Sequence, residues 1–88
     1  MNSQEIQEQI YKWACNHNFT APYGVLTGSH TNSKGKKYLS VTFGYARTLD
    51  ATVEIYNRNF MILKRSNCNN EVFKSFEDLQ STLNSINI

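Results

Sequence analysis

The spacing of apolar residues along this 88-residue chain changes twice, and this change constrains the fold more than any other feature. Near the start, four residues recur at the intervals of one helical face: Ile6, Ile10, Trp13 and Ala14. From about residue 23 the period falls to two, which is typical of strands with one buried face. The helical interval returns near the end at Phe76, Leu79, Leu83 and Ile86. The order is therefore a helix, a run of strands and a second helix.

Residues that favour helix ends frame both helical segments. Asn2 followed by Glu5 has the form of a capping box, and Ser75 followed by Asp78 repeats that spacing. Asparagines at 16–19 suit the end of the first helix, and Pro22 prevents the helix from continuing. These signals predict a first helix that begins after Asn2 and ends within 16–19, and a second helix that begins after Ser75.

Four segments between the helices are predicted as strands: 23–29, 36–47, 50–57 and 59–66. In the clearest one, two sets of residues alternate: Leu39, Val41, Phe43 and Tyr45 on one face, and Tyr38, Ser40, Thr42 and Gly44 on the other. In the next strand the inward set is Ala51, Val53 and Ile55, and the outward set is Thr52, Glu54 and Tyr56. Residues 71–73 are a candidate for a brief additional edge strand.

Turn-rich and short connections between these segments favour antiparallel pairing of neighbouring strands. The stretch at 30–36, HTNSKGK, is typical of a hairpin loop, and the joint at Asn57-Arg58 is short enough for a tight turn. We therefore predict one α+β domain over 1–88, with a three- to four-stranded meander sheet and both terminal helices packed on one face, α-β-β-β-β-α.

Composition excludes several classes of protein. A chain that is 40% apolar and 18% charged is globular rather than disordered. No apolar run reaches the roughly 18–20 residues of a membrane span, and the polar, acidic start is unlike a secretory signal. The two cysteines, Cys15 and Cys68, are fewer than a small secreted domain usually carries. The expected location is the cytoplasm, with both thiols reduced.

Charge is divided unevenly along the chain. The sheet region from His30 to Arg65 holds seven Lys or Arg residues and two acids, a balance of +5. The remaining, mostly helical parts carry a balance of −3, with Lys12 and Lys74 against five acids. If the helices cover one face of the sheet, this division predicts a basic side and an acidic side.

The uncovered face of the sheet is the predicted contact surface. Alternation places Tyr38 and Tyr56 on it, with Phe60 as a further candidate. Exposed aromatics beside Lys and Arg are typical of proteins that stack nucleic-acid bases on rings. An ordinary solvated surface explains the same residues, because Tyr fits pleated strands and Lys protects sheet edges. The predicted binding residues are Lys34, Lys36, Lys37, Tyr38, Arg47, Tyr56, Arg58 and Lys64.

No residue pattern in the sequence indicates catalysis, a metal or a cofactor. The cysteines and histidines, Cys15, His17, His30 and Cys68, lack the paired spacing of zinc ligands. Glu77 and Asp78 are adjacent and would not face each other on a helix. The scattered glycines form no phosphate-binding loop. We therefore predict no enzyme activity, no catalytic or metal-ligating residue and no cofactor.

Two functional interpretations remain open on the sequence. The first is a small non-enzymatic binding protein whose partner is another protein or a protein–nucleic-acid complex, as a monomer or homodimer and without a membrane. Eleven asparagines, together with the Ile, Lys and Tyr content, suggest an AT-rich gene like those of some bacteria and many phages. This source favours the hypothesis of a phage or mobile-element inhibitor of a host nucleic-acid-handling complex. The second interpretation is a nucleic-acid-binding protein that uses the basic, aromatic-bearing open face of the sheet.

Overall fold

Two helices flank a run of five strands in a computed structural model that describes residues 1–16, 24–45, 49–66 and 68–85. Helix α1 spans Ser3–Asn16 and helix α2 spans Phe76–Ser85. The strands are β1 (Val25–Thr31), β2 (Lys37–Tyr45), β3 (Leu49–Asn57), β4 (Phe60–Arg65) and β5 (Glu71–Phe73). The predicted α+β order is confirmed, and the candidate edge strand at 71–73 is present as β5.

The strands form one antiparallel sheet in sequence order, β1-β2-β3-β4-β5. The β1–β2 hairpin is longer than predicted, because His30 pairs with Tyr38 and Thr31 pairs with Lys37. His30 therefore lies in a strand and not in the loop. The carbonyl oxygen of the Asn32 side chain accepts hydrogen bonds from two backbone amides within the remaining loop, and Gly35 supplies the positive φ of 82° that the turn requires.

Both helices cover the same face of the sheet, as the apolar pattern predicts. The fully buried side chains come from both helices and from alternate strand positions: Ile6, Ile10, Ala14, Val41, Phe43, Ala51, Val53, Ile55, Met61, Leu63, Leu79 and Leu83. Trp13 packs edge-on against Phe43 with ring centroids 5.5 Å apart. Its indole N–H also donates a 2.9 Å hydrogen bond to the Asn84 side chain, which ties α1 to α2. Neither helix is long and apolar enough to cross a membrane within the described ranges.

Helix α1 is also attached to the sheet by a side chain that bonds to the backbone. The side-chain amide nitrogen of Gln7, Nε2, donates hydrogen bonds to the backbone carbonyl oxygens of Gly28 and Ser40, both at 3.1 Å. Gly28 and Ser40 are paired residues on β1 and β2. A single side chain therefore links the helix to the first hairpin.

The predicted caps are present at both helix starts. The Glu5 amide donates to the Asn2 side chain at 2.9 Å, and the Asn2 amide donates to the Glu5 carboxylate at 3.1 Å. At α2, the Asp78 amide donates to the Ser75 hydroxyl at 3.2 Å. Each cap satisfies an amide that has no partner within its own helix.

Replacing Ser75 by alanine is expected to lower the free energy of unfolding by about 1 kcal/mol, because α2 loses its capping hydroxyl. Urea unfolding followed by circular dichroism measures the change. Ser81→Ala is the matched control, since Ser81 is exposed within the same helix and alanine favours helix. Equal unfolding midpoints for the two variants would contradict the assignment of Ser75 as the cap.

Candidate binding face of the sheet

Four aromatic rings lie side by side on the face of the sheet opposite the helices. They come from adjacent strands and form what we call the aromatic row: His30, Tyr38, Tyr56 and Phe60. Successive ring centroids are 5.2, 5.0 and 5.5 Å apart. The sequence therefore placed Tyr38 and Tyr56 on the correct face, and Phe60 joins them.

The ring of Tyr56 extends back along its strand towards Glu54 and packs between two other rings, inclined by 31° to Tyr38 and by 64° to Phe60. Its hydroxyl donates a 3.2 Å hydrogen bond to the carboxylate of Glu54, two residues earlier on the same face of β3. Glu54 is only 8% exposed although it lies on the open face. With centroids only 5.0 Å apart and planes inclined by 31°, the rings of Tyr38 and Tyr56 are turned partly face to face.

His30 lies over its own strand in the same way. A Cβ atom added to Gly28 would come within 2.6 Å of the His30 Nε2 atom, so the imidazole occupies the space above that glycine. A 2.9 Å hydrogen bond joins His30 Nε2 to the hydroxyl of Ser40, which is 5% exposed. The absence of a side chain at Gly28 is what allows the imidazole to occupy this position, beside the ring of Tyr38.

A β-bulge in β3 positions Tyr56. Ile55 pairs with Met61 and Asn57 pairs with Phe60, which leaves Tyr56 as an extra residue on its strand. The turn that follows is held by the Asn57 side chain, which accepts a 2.8 Å hydrogen bond from the Asn59 amide. Bulges commonly redirect a side chain, and here the redirected ring continues the aromatic row.

Lys64 lies on the open face as predicted, but it is paired with an acid. Its ammonium group is 2.9 Å from the Glu54 carboxylate. The hydrogen bond to Glu54 raises the pKa of Lys64 above its ordinary value, although burial opposes the shift. The charge of Lys64 is therefore engaged within the sheet surface, beside the two tyrosines.

Most of the predicted cations gather at one end of the sheet. In an antiparallel meander the β1–β2 and β3–β4 connections fall at the same end. We define the basic end by five exposed cations there: Lys34, Lys36, Lys37, Arg58 and Lys74. The aromatic row lies at this end, and the Lys74 ammonium is 5.1 Å from the centroid of the Phe60 ring. A shallow depression lined by Ser3, Ser29, Lys37, Tyr38 and Tyr56 adjoins it.

The structure thus brings together six of the eight predicted binding residues: Lys34, Lys36, Lys37, Tyr38, Tyr56 and Arg58. Lys64 lies nearby, bound to Glu54, and Arg47 falls outside the described residues. Two neighbours of the site were missed. His30 was assigned to the loop, and Lys74 was counted with the helical segments, although continued alternation after Val72 and Phe73 would have placed Lys74 on the open face.

Exposed acids lie on the helices, and one of them, Glu77, lines a depression together with Arg58 of the basic end. Glu5, Glu8, Glu77 and Asp78 are exposed on the two helices, whereas Glu54 is buried beside Lys64. Over the described ranges, no three His, Cys, Asp or Glu side chains are close enough to hold a metal ion. The open face therefore offers rings, hydroxyls and nearby cations, which suit contact with an anion that carries flat groups.

No protein-family model, curated protein or solved structure matches this chain.

Proposed function

We propose that this protein binds single-stranded nucleic acid on the open face of its sheet. The observation that carries the proposal is the aromatic row, whose four rings adjoin one another across four strands beside the five cations of the basic end. Rings and cations are the two components that single-strand binders combine.

Stacking of bases on the aromatic row would supply one part of the affinity. Each base stacked on an aromatic side chain contributes about 1–3 kcal/mol, largely independently of its identity. The row crosses four strands, and its rings are only about 5 Å apart, so bases would stack on the outer surface of the row and not between its rings. Duplex bases are stacked on each other and do not present their faces, so this surface favours single strands.

The basic end would supply the phosphate contacts. Lys34, Lys36 and Arg58 are exposed in the two connections that border the aromatic row. Each phosphate neutralised on a single strand releases counterions and adds about 0.7 to the slope of log affinity against log salt. The exposed acids lie on the helices, and Glu77 borders the basic end at Arg58, where it would oppose a phosphate.

Replacing Tyr38 by alanine is expected to weaken binding of a labelled single-stranded oligonucleotide roughly 5- to 100-fold, because a stacking ring is removed. The salt dependence should be unchanged, since no charge is altered. Fluorescence anisotropy at several salt concentrations measures both quantities. Gln9→Ala is the control, because Gln9 is exposed on α1, away from the open face.

Replacing Lys36 by alanine should instead lower the salt slope by about 0.7 and weaken binding to all sequences alike. Lys12→Ala removes one charge from α1 and should leave the slope as it is. If the folded wild-type protein retained no oligonucleotide at low salt, the proposed function would be wrong. If Lys36→Ala and Lys12→Ala lowered the salt slope equally, the oligonucleotide would be held only by non-specific attraction to the net charge of the protein.

A second candidate is contact with another protein through the β4–β5 side of the open face. Val72 is 51% exposed there, beside half-buried Ile62, and an apolar margin next to tyrosines is typical of protein interfaces. Inhibition of a host nucleic-acid-handling complex is the form of this candidate that the sequence favours.

A pull-down from the host, with nuclease added to one half, separates it from the first proposal. A protein partner should survive nuclease and be lost with Val72→Lys but not with Gln9→Lys, a control on exposed helix surface.

A further inference from the structure

We propose that β1 pairs with β1 of a second copy of the chain, centred on Gly28, so that the sheet continues through a two-fold dimer. The sheet has two edges, and they differ in length. β5 has three residues, whereas β1 has seven, most of them exposed. Among the described strands, none pairs with the outer side of β1. A long unpaired edge is a template for adding another strand.

β1 lacks the features that usually prevent such pairing. Its sequence, VLTGSHT, contains no charged residue and no proline, and these are the common means of blocking an edge. The other edge is protected in comparison, because β5 is short, begins with Glu71 and is followed by Lys74. The difference identifies β1 as the edge suited to pairing.

The pattern of β1 is compatible with itself, which is why we assign the occupant as a second copy. Antiparallel pairing about Gly28 places Leu26 opposite His30 of the other copy on the open face. It also sets Thr27 opposite Ser29 on the helix side. Leu26 is 54% exposed in the single chain, and a neighbouring imidazole would cover it. No pair in this register brings like charges together. A charged edge would do so, because a symmetric contact sets the same residues close to each other.

The helix side of the same edge also offers apolar surface. Tyr11 is 41% exposed on α1 and lines a groove with Gln7, Glu8 and Thr27. A second copy added to β1 would lie beside this groove. Because the two-fold axis of an antiparallel pair is perpendicular to the sheet, both aromatic rows would face the same way. The dimer does not depend on nucleic-acid binding. If the protein does bind nucleic acid, the dimer would let one nucleic-acid strand contact both copies.

Sedimentation equilibrium over a range of concentrations tests the dimer. The wild-type protein is expected to approach twice its chain mass of 10.1 kDa as concentration rises. Leu26→Lys should weaken the dimer at least tenfold. In the proposed register the introduced lysine of each copy would lie opposite His30 of the other copy at the joined edges. Val72→Lys is the matched control at the other edge and should leave the dimer intact. A monomer at every concentration up to about 1 mM, or equal loss in both variants, would overturn the proposal.

A cross-linking experiment tests the register without weakening the edge. Thr27→Cys combined with Ser29→Cys, in a chain with Cys15 and Cys68 changed to serine, places thiols opposite each other across the axis. Mild oxidation should then give a covalent dimer whose circular dichroism matches that of the wild type. Val72→Cys in the same cysteine-free background should stay monomeric on non-reducing gels. Equal cross-linking of both variants would indicate random collision and would contradict the register.

Discussion

Replacing Phe43 by alanine is expected to cost about 3–5 kcal/mol of folding free energy. Phe43 lies near the C-terminal end of β2, is fully buried and contacts the ring of Trp13 from α1. The substitution removes both the buried ring and the packing between helix and sheet, and the surrounding sheet cannot close a cavity of that size. A domain this small has a total stability of about 5–10 kcal/mol, so the variant should be close to unfolding at room temperature.

Urea unfolding followed by circular dichroism measures the loss for Phe43→Ala. Fluorescence of the single tryptophan, Trp13, gives a second probe of the same core. Phe43→Leu is the control that keeps an apolar side chain, and it should cost much less, about 1–2 kcal/mol. A loss below 1 kcal/mol for the alanine variant would show that α1 does not pack on β2 as described.

Replacing Lys64 by methionine is expected to cost about 1–2 kcal/mol, because the buried carboxylate of Glu54 loses its cationic partner. Glu54 would keep the hydrogen bond from Tyr56, and Lys64 is partly exposed, so the cost is below that of a fully buried pair. Lys12→Met breaks the exposed Glu8–Lys12 pair on α1 and is the control. That variant should change stability by less than about 0.5 kcal/mol.

The Lys64–Glu54 contact also predicts a pH dependence. The pKa of Lys64 is raised in the folded protein above its ordinary value of 10.5, so the folded state holds this proton more tightly than the unfolded state. The contribution of Lys64 to stability is therefore complete below pH 10.5 and is lost as the pH rises through the raised pKa. The difference in stability between wild type and Lys64→Met should shrink above that pH. A difference that stays constant to about pH 12 would contradict the pairing.

The order of elements and the buried face of each strand were readable from the sequence because burial imposes a period. Ala51, Val53 and Ile55 alternate with polar residues, and all three are fully buried. The faces of 59–66 were not readable, since that segment is apolar on both sides. The register settles them: Met61 and Leu63 point to the helices.

The candidate site was predicted less completely than the fold. Alternation gives the face on which a residue lies, but the site also depends on the direction and contacts of each side chain. Alternation assigned Ser40 and Glu54 to the open face, yet both are buried. Alternation carries no information about the ring of Tyr56, which extends towards Glu54. The need for glycine at position 28 likewise follows from His30 and appears only in three dimensions.

The hydrogen bonds from Gln7 have a consequence for how the two layers communicate. The amide of this residue holds the backbone at the two positions that lie beneath the imidazole of His30. Gln7 therefore fixes the position of the first helix relative to the backbone that supports His30, so the helical layer and the far face of the sheet share one anchoring side chain.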